Sequence, residues 1–357
     1  MNILYLGSHA ILEYDQVRLW TGLGYDVFSI GAYMDPRRPE VDLRPAINAQ
    51  SHPELAALVI AQRERHAAEP AGYPIIDWAK ADLHQGLIDW ADTIIVDCYP
   101  ESWIVFNWPR IREKRVIWRT IGQSGPQTET MMGRLEGLQI VRYSPAEQRA
   151  YGPMFAGEDA MIRFAKDPAD FGPWLPDGTI GFQDGTVGPY IANLAQHEPD
   201  DRRDPFLHWD WVTAATEDLP FVPAGPNSEA KGGLGSLSYD AMRAYLARAR
   251  AYIYSGTVPA SYTLGLIEAM MTGVPVVSIG PGAFGTGSLF EAHEIALESF
   301  DDPAHAHSVL ANYLRSQAIA AEDGVEARAR AIDLFGVDNI ARQWVDFLGA
   351  PAMAVAA

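Results

Sequence analysis

Residues 251–282 read AYIYSGTVPASYTLGLIEAMMTGVPVVSIGPG, and this stretch decides the fold. A β-rich run at 252–254 leads through a loop of small and polar residues into an apolar helical segment, 264–271, that stops at Gly273. The β-branched residues between 274 and 279 then predict a second strand. A strand, a crossover helix and a second strand form the unit from which parallel, doubly wound α/β sheets are built.

The start of the predicted helix carries polar residues that a ligand could use. Ser261, Tyr262 and Thr263 stand where backbone N–H groups without intrahelical partners favour an anion such as phosphate. Glu268 follows about one and a half turns later, within reach of a sugar hydroxyl attached to that phosphate. The alternative is that Thr263 only caps a core helix and Glu268 is a solvated helix residue.

The same alternation of β-rich runs and helical patterns covers the rest of the chain. N-terminal strands are predicted at 2–6, 25–30, 93–96, 116–119 and 138–142, and later strands at 190–194, 220–223, 252–254 and 274–279. The segment AKDPADFGPWLPDG after Phe164 is rich in Pro, Gly and Asp, which is typical of an interdomain connection. We therefore predict a Rossmann-like domain at 1–165, a connection at 166–185, a second Rossmann-like domain at 186–335 and a C-terminal helix with a frayed tail at 336–357.

Length and composition place the chain among two-domain globular proteins. Its 357 residues, 48% of them hydrophobic, exceed one typical core. No apolar run reaches the roughly 18 residues of a membrane span, and no basic segment precedes the first strand as in a secretory signal. Cys98 is the single cysteine, which excludes an internal disulfide framework. The expectation is a cytoplasmic protein without a membrane span.

Charge argues against general capture of nucleic acid. The net charge is −19, with 17 Lys and Arg against 23 Asp and Glu in residues 1–170, and 10 against 23 in residues 171–357. Only the N-terminal half could tolerate a polyanionic partner. Its one local basic cluster is interpreted as a solvated helix end, and it comprises Arg110, Arg112, Lys114, Arg115 and Arg119.

The loop after the first strand disfavours a nicotinamide enzyme. Gly7 is followed by His9 and Leu12 rather than by the second and third glycines of a dinucleotide fingerprint. His9 and Glu13 lie at the sheet edge where they could hold acceptor hydroxyls or transfer protons, or where His9 could be an ordinary loop histidine. The further candidates for the acceptor side at this edge are Gly7, Ser8, Tyr99 and Gln123.

Cations in the acidic half are candidates for a diphosphate site. Arg202 and Arg203 could neutralise a diphosphate, or could pair with the aspartates beside them. Lys231, in a glycine-rich polar loop, is a further phosphate candidate. No Asp, His or Cys residues recur at metal-ligand spacing, so no metal site is predicted.

Three segments resemble landmarks of nucleotide-sugar-dependent glycosyltransferases of the GT-B fold, closest to the retaining family 4. MIRFAKDPADF, 161–171, is similar to the strand and Asp-x-x-x-Phe that link the family's domains. LSYDAMRAYLARARAYIYSG, 237–256, is similar to the helix and strand before its donor loop. SYTLGLIEAMMTGVPVV, 261–277, is similar to its donor-binding signature. The resemblance implies two doubly wound domains facing each other across a cleft.

The family's donor contacts map onto this sequence only in part. The resemblance implies that backbone N–H groups of Tyr262, Thr263 and Leu264 bind the diphosphate and that Glu268 binds the ribose. Ala260 stands where the family has the first Glu of its motif. The family's Gly-Arg is replaced near Asn193, and a frequent histidine is replaced near Gln123.

The opening segment, GSHAILEYDQVRLWTGLGYDVFSIGAYMDP, also resembles bacteriophage-encoded glycosyltransferases. The resemblance implies a hexosyltransferase that uses a nucleoside diphosphate sugar, with a UDP-sugar favoured, as its co-substrate, with retention and with no required metal or other cofactor. The acceptor could be a phage protein, a DNA base or a small molecule. Three alternatives stay open: transfer to a 5-hydroxymethylated DNA base, nucleotide-sugar binding without catalysis, and nucleotide-sugar epimerisation.

Overall fold

A computed structural model describes residues 1–7, 10–30, 51–67, 82–97, 100–122, 124–183, 208–225, 228–257, 260–285 and 289–351. The strands are β1 (Asn2–Leu6), β2 (Asp26–Ser29), β3 (Thr93–Val96), β4 (Arg115–Arg119), β5 (Gln139–Arg142), β6 (Ala160–Met161), β7 (Thr179–Gln183), β8 (Phe221–Ala224), β9 (Ala249–Tyr254), β10 (Val276–Ile279) and β11 (Glu298–Phe300). The helices are α1 (Ala10–Gly22), α2 (Pro53–Ala67), α3 (Gln85–Trp90), α4 (Phe106–Ile111), α5 (Pro126–Met132), α6 (Ala146–Tyr151), α7 (Trp209–Ala215), α8 (Tyr239–Arg248), α9 (Leu264–Thr272), α10 (Pro281–Phe284), α11 (Ala292–Ile295), α12 (Pro303–Arg315), α13 (Gln317–Phe335) and α14 (Val337–Leu348).

The chain divides into two compact units. Unit 1 comprises residues 1–143, 151–165 and 340–357, and unit 2 comprises residues 144–150 and 166–339. The C-terminal residues return to unit 1 because the Trp344 ring packs edge-on against Trp20 at 5.1 Å, and Trp20 packs in the same way against Tyr5. The boundaries predicted from the sequence stay predictions, and the structure adds that residues from 340 onward pack with the N-terminal sheet.

Unit 1 is built on a parallel sheet in the order β2-β1-β3-β4-β5-β6. Its core strands are apolar on both faces, as expected for a sheet covered by helices on both sides. Leu4, Phe28, Ile94 and Trp118 are buried in one of its two layers. The five predicted N-terminal strands are confirmed to within one residue at either end, and β6 is an additional short strand at the edge of the sheet.

Unit 2 is built on a second parallel sheet in the order β11-β10-β9-β7-β8. The chain order reverses between β7 and β9, and in doubly wound sheets ligands bind at the carboxyl ends of the strands beside such a reversal. The strand at the reversal, β7, lies at 179–183, within the segment predicted as an interdomain connection. The strand predicted at 190–194 lies outside the described residues.

Helix α9 is the buried centre of unit 2. Every residue from Gly265 to Thr272 is buried, and the helix ends at Gly273 in the left-handed conformation, with φ of 87°. A glycine tolerates this conformation because it has no Cβ. The neighbouring helix α13 approaches closely through Gly324, where a β-carbon would collide with the Gly273 carbonyl oxygen. The helix and its end, predicted from the local pattern, are confirmed.

No helix in the described part of the chain is long and apolar enough to cross a membrane.

Candidate functional site

The start of α9 presents an open helix N-terminus. Thr263 is the N-cap residue with extended backbone, φ −115° and ψ 165°, and its side chain makes no capping hydrogen bond. The first-turn N–H groups of an α-helix have no intrahelical acceptors, so they remain suited to an anion. Thr263 and Leu264 are half-buried, whereas the residues that follow are buried. The N-terminal end of this helix is therefore its least buried part.

Two contacts fix the residues that precede α9. The Ser261 carbonyl accepts a hydrogen bond from the Glu291 N–H at 2.9 Å. The Tyr262 ring is 1% exposed and packs against Phe335, with 5.2 Å between the ring centroids. Tyr262 can therefore serve a ligand only through its backbone. This position fits the backbone role that the motif predicts for it.

The carboxyl ends of β7 and β9 bring two polar side chains toward this helix end. Gln183 ends β7, and its Oε1 lies so close to the first turn of α9 that a β-carbon at Gly265 would collide with it. This oxygen is buried and has no hydrogen-bond partner among the described residues. Tyr254 ends β9 beside Thr263, and its pKa is raised by burial and lowered in smaller part by the Thr263 hydroxyl and N–H. A buried polar atom without a protein partner is uncommon, so Gln183 Oε1 is a candidate contact for a polar ligand.

Glu268 faces a buried cation. Its Oε1 accepts a hydrogen bond from the Lys166 ammonium at 2.5 Å, and the two side chains are 5% and 1% exposed. Tyr252 lies close by, since its pKa is raised well above the ordinary value by burial first and then by nearby groups that include Glu268. The interpretation of Glu268 as a solvated helix residue is therefore wrong. It is a buried, charge-paired carboxylate on the helix that opens toward the site.

Four of the predicted donor-site residues lie on α9, at its N-cap or directly before it, namely Tyr262, Thr263, Leu264 and Glu268. The ammonium group of Lys231 lies 5.0 Å from the centre of the Trp209 ring. Arg202, Arg203 and Asn193 lie outside the described residues. The cation that would face a diphosphate therefore stays a prediction.

The predicted acceptor-side residues belong to unit 1. Glu13 is fully buried in the first turn of α1 and accepts a hydrogen bond from the Ser29 hydroxyl at the end of β2. Gly7 makes this packing possible, because a β-carbon there would lie 3.3 Å from the Glu13 carboxyl carbon and 3.2 Å from the Tyr5 ring. These contacts favour a structural role for Glu13. Ser8, His9, Tyr99 and Gln123 lie outside the described residues.

The basic cluster is a solvated helix end only in part: Arg110 and Arg112 are exposed around the end of α4, whereas Arg119 is buried. The Arg119 guanidinium is 1% exposed and donates to the Ile162 and Arg163 carbonyls at 2.5 and 3.1 Å. Arg115 donates to two carbonyls at the end of α14, and Lys114 donates to the Ala91 carbonyl at 2.8 Å. Arg110 pairs with Asp82 at 2.7 Å. Four of the five cations are thus held by the protein's own acceptors.

Sequence reasoning missed Lys166 and Gln183. Lys166 is the residue before the Asp-x-x-x-Phe segment, and a lone lysine in a Pro-rich stretch carries no local signal of a buried partner 102 residues away. Gln183 was overlooked because residues 179–183 were assigned to a connection. Recognising TIGFQ as a strand would have placed Gln183 at the carboxyl edge of the sheet. Among the described residues, no three His, Cys, Asp or Glu side chains gather as metal ligands would.

No protein-family model and no curated protein sequence matches the chain. Solved structures do match it over nearly its whole length. The sucrose-phosphate synthase of Thermosynechococcus elongatus is 15% identical with a TM-score of 0.61, and the match covers 98% of each chain.

Two further matches were solved with a nucleotide sugar. The HepE protein of Anabaena in complex with UDP-glucose is 14% identical with a TM-score of 0.57, and the match covers 98% of this chain and 100% of HepE. An α-glucosyltransferase in complex with UDP-glucose and DNA containing an abasic site is 9% identical with a TM-score of 0.57, covering 98% of this chain and 99% of the other. At these identities the likeness establishes the fold: the chain has the α/β GT-B fold with two Rossmann-like units.

Proposed function

We propose that the protein is a glycosyltransferase that moves a hexose from a UDP-sugar to an acceptor hydroxyl with retention of anomeric configuration. The observation that carries this proposal is the open N-terminus of α9 at the strand-order reversal, with the buried carboxylate of Glu268 on the same helix. UDP-glucose complexes among the structures that share the fold support uridine as the base.

In this proposal the donor diphosphate binds at the start of α9. When the bond between the anomeric carbon and the phosphate oxygen breaks, the electron pair leaves with the diphosphate, and its charge is stabilised by the N–H groups of Tyr262, Thr263 and Leu264 and by the helix dipole. Arg202, Arg203 or Lys231 supplies a compensating cation, so the proposal requires no metal ion. Asn193 is the remaining donor-side candidate.

The acceptor hydroxyl must lose a proton as its oxygen bonds to the anomeric carbon, and retention requires that this bond forms on the face from which the diphosphate leaves. Of the two candidates in the first turn of unit 1, His9 is the better proton acceptor, because Glu13 is buried and already accepts from Ser29. Glu13 then has a structural role, packed beside Gly7 at the end of β1. Tyr99 and Gln123 remain candidates for contacts with the acceptor.

The test is nucleoside diphosphate release from a panel of UDP-, GDP- and dTDP-sugars, measured with and without candidate acceptors. Release from a UDP-sugar that falls by about a hundredfold or more in Glu268→Ala supports the proposal. Glu326→Ala, which removes an exposed glutamate from α13, is the matched control and should behave as wild type. Equal release by the wild type and by Glu268→Ala would refute the assignment of the site.

A second candidate is transfer to a hydroxymethylated base in DNA, favoured by the likeness to an α-glucosyltransferase solved with DNA. Such an enzyme flips the base out of the duplex and holds the phosphate backbone with cations. The internal use of Arg110, Lys114, Arg115 and Arg119 weighs against it. Stimulation of UDP release by hydroxymethylated but not by unmodified DNA would establish it, and the absence of DNA binding at low salt would remove it.

Ala260, in place of the first motif Glu, supports the alternative of binding without catalysis. The same panel separates these outcomes: binding of one donor without release or change indicates a binding protein. Conversion of the donor into an epimer without any acceptor indicates an epimerase.

A further inference from the structure

The backbone of Lys166 is fixed on both sides. Its N–H donates to the Phe335 carbonyl at 2.8 Å, and its carbonyl accepts from the Val337 N–H at 3.0 Å. From this anchored position the side chain runs past the Phe171 ring, 6.0 Å from its centre, to the carboxylate of Glu268. The backbone from which the Lys166 side chain extends is therefore held in place, and this limits the rearrangement of the ion pair.

The pair leaves half of the carboxylate available. Lys166 occupies Oε1 of Glu268, and no described residue donates a hydrogen bond to Oε2. An ionised carboxylate can accept about four hydrogen bonds, so the Lys166 contact leaves capacity for a ligand. Two neighbouring hydroxyls, as on a ribose ring, match a carboxylate whose orientation is fixed.

We infer that Lys166 is a positioning residue that holds the Glu268 carboxylate in a fixed orientation as the acceptor for the 2′- and 3′-hydroxyls of a ribose. This inference rests on the proposed function. It predicts that a ribonucleoside diphosphate sugar binds more tightly than the corresponding 2′-deoxyribonucleoside diphosphate sugar. Lys166 has no contact with the reacting atoms in this role and acts through Glu268.

A purely structural role of the Lys166–Glu268 pair predicts a different effect of losing Lys166 on nucleotide binding. If Lys166 positions Glu268, the loss of Lys166 removes the contact that orients the carboxylate, and the preference for a nucleotide with a 2′-hydroxyl is lost with it. A structural defect would instead weaken binding of every nucleotide by a similar factor. The ratio of two affinities, rather than either affinity alone, therefore separates the two roles.

The experiment measures dissociation constants for UDP and for 2′-deoxy-UDP by calorimetry, on the full chain. Wild type should prefer UDP by about ten- to a hundredfold, the range expected for a hydrogen bond to a charged group. Lys166→Met should reduce this preference to about threefold or less, mainly by weakening UDP. Arg149→Met, which removes an exposed ion pair with Glu294 in the same unit, should keep the wild-type preference.

The binding data distinguish a failure of the positioning role of Lys166 from a failure of the proposed function. If wild type binds UDP and Lys166→Met weakens both nucleotides equally, the positioning role is overturned while the proposed function stands. If wild type binds neither nucleotide, the proposed function fails and this inference fails with it. Should Lys166→Met not fold, Lys166→Gln, which keeps a donor but not the charge, is judged by the same ratio.

Discussion

Each unit contains a buried pair of opposite charges, and the two pairs are built differently. In unit 1, Arg142 binds Glu129 through two parallel hydrogen bonds of 2.7 Å, and both side chains are fully buried. In unit 2, Lys166 binds Glu268 through one. We refer to these as the closed pair and the open pair.

The closed pair has its remaining groups satisfied. Ser124 donates to Oε1 of Glu129 at 3.1 Å, and the Ala156 N–H donates to Oε2 at 3.0 Å. The Nε of Arg142 donates to the Gly157 carbonyl at 2.9 Å, and its guanidinium stacks near the Trp118 and Phe155 rings. A network whose members are paired in this way contributes to one specific packing and has no capacity for a ligand.

The open pair has the opposite surroundings. Its carboxylate, Glu268, lies on a helix whose N-cap side chain makes no capping bond, and Gln183 beside the first turn of that helix has a buried oxygen without a partner in the described part of the chain. Folding alone gives no reason to bury polar groups without partners, because each costs about 1–3 kcal/mol. The difference between the pairs supports the proposal that the open pair serves a ligand, whereas the closed pair serves the fold.

The largest effect is expected from breaking the closed pair. Arg142→Met should lower the free energy of unfolding by about 3–5 kcal/mol, because it leaves the Glu129 carboxylate buried without its cation. Chemical denaturation followed by tryptophan fluorescence measures this loss. Where the variant folds, its affinity for UDP should equal that of wild type.

The double variant Arg142→Met/Glu129→Gln is the control, because it removes both charges. It should recover a large part of the lost stability, since an uncharged pair has a smaller desolvation cost. A single variant that loses less than about 1 kcal/mol would show that the closed pair is not essential to the packing of unit 1.

The comparison also explains what the sequence could and could not predict. Helix α9 and its end at Gly273 follow from local signals, namely an apolar run and a glycine that adopts positive φ. The candidate donor-side residues Thr263 and Glu268 follow from their positions on that one helix, and Leu264 from the resemblance to the family's donor-binding signature; their role stays a prediction. These predictions depend on contacts within a few residues of each other, and such contacts are visible in a sequence.

The partners of both pairs were not predictable in this way. Glu268 and Lys166 are 102 residues apart, and Arg142 and Glu129 lie on different elements. The strand β7 was missed because TIGFQ is short, contains a glycine and follows a Pro-rich segment. The cations of the basic cluster were assigned to solvent because acceptors on distant carbonyls leave no local pattern.

A smaller effect sharpens the description of the open pair. Gln183→Leu replaces the side chain whose oxygen has no partner with an apolar one of similar size. The free energy of unfolding should stay within about 0.5 kcal/mol of wild type or rise by up to about 1 kcal/mol, because an unsatisfied buried group is removed. UDP binding, measured by calorimetry, should weaken by about tenfold if the amide contacts the donor.

The matched control is Gln317→Leu, at the first residue of α13 and away from the sheet edge. It should change neither quantity. A loss of more than about 1 kcal/mol in Gln183→Leu, with unchanged UDP binding, would place Gln183 with the closed, structural kind of polar group.

The smallest effect on stability is expected at Glu298, which forms no ion pair with a described residue. Burial raises the pKa of Glu298 above its ordinary value of 4.5, and the nearby Asp323 raises it further. The folded protein therefore holds this proton more tightly than the unfolded chain does. The stability from this group is fully present below the unfolded pKa and is lost as the pH rises through the higher folded pKa.

Glu298→Gln should consequently melt about 1–2 °C above wild type near pH 7, and the gain should shrink toward zero at about pH 3, well below the ordinary value, where the glutamate is protonated in both states. Thermal melts across this pH range measure the difference. The open pair gives the contrast: Glu268 has Lys166 beside it, so Glu268→Gln should lower the melting temperature near neutral pH. A gain in stability from Glu268→Gln would mean that Lys166 does not compensate the buried charge, and the distinction between a paired acid kept for a ligand and an acid merely tolerated by the fold would no longer hold.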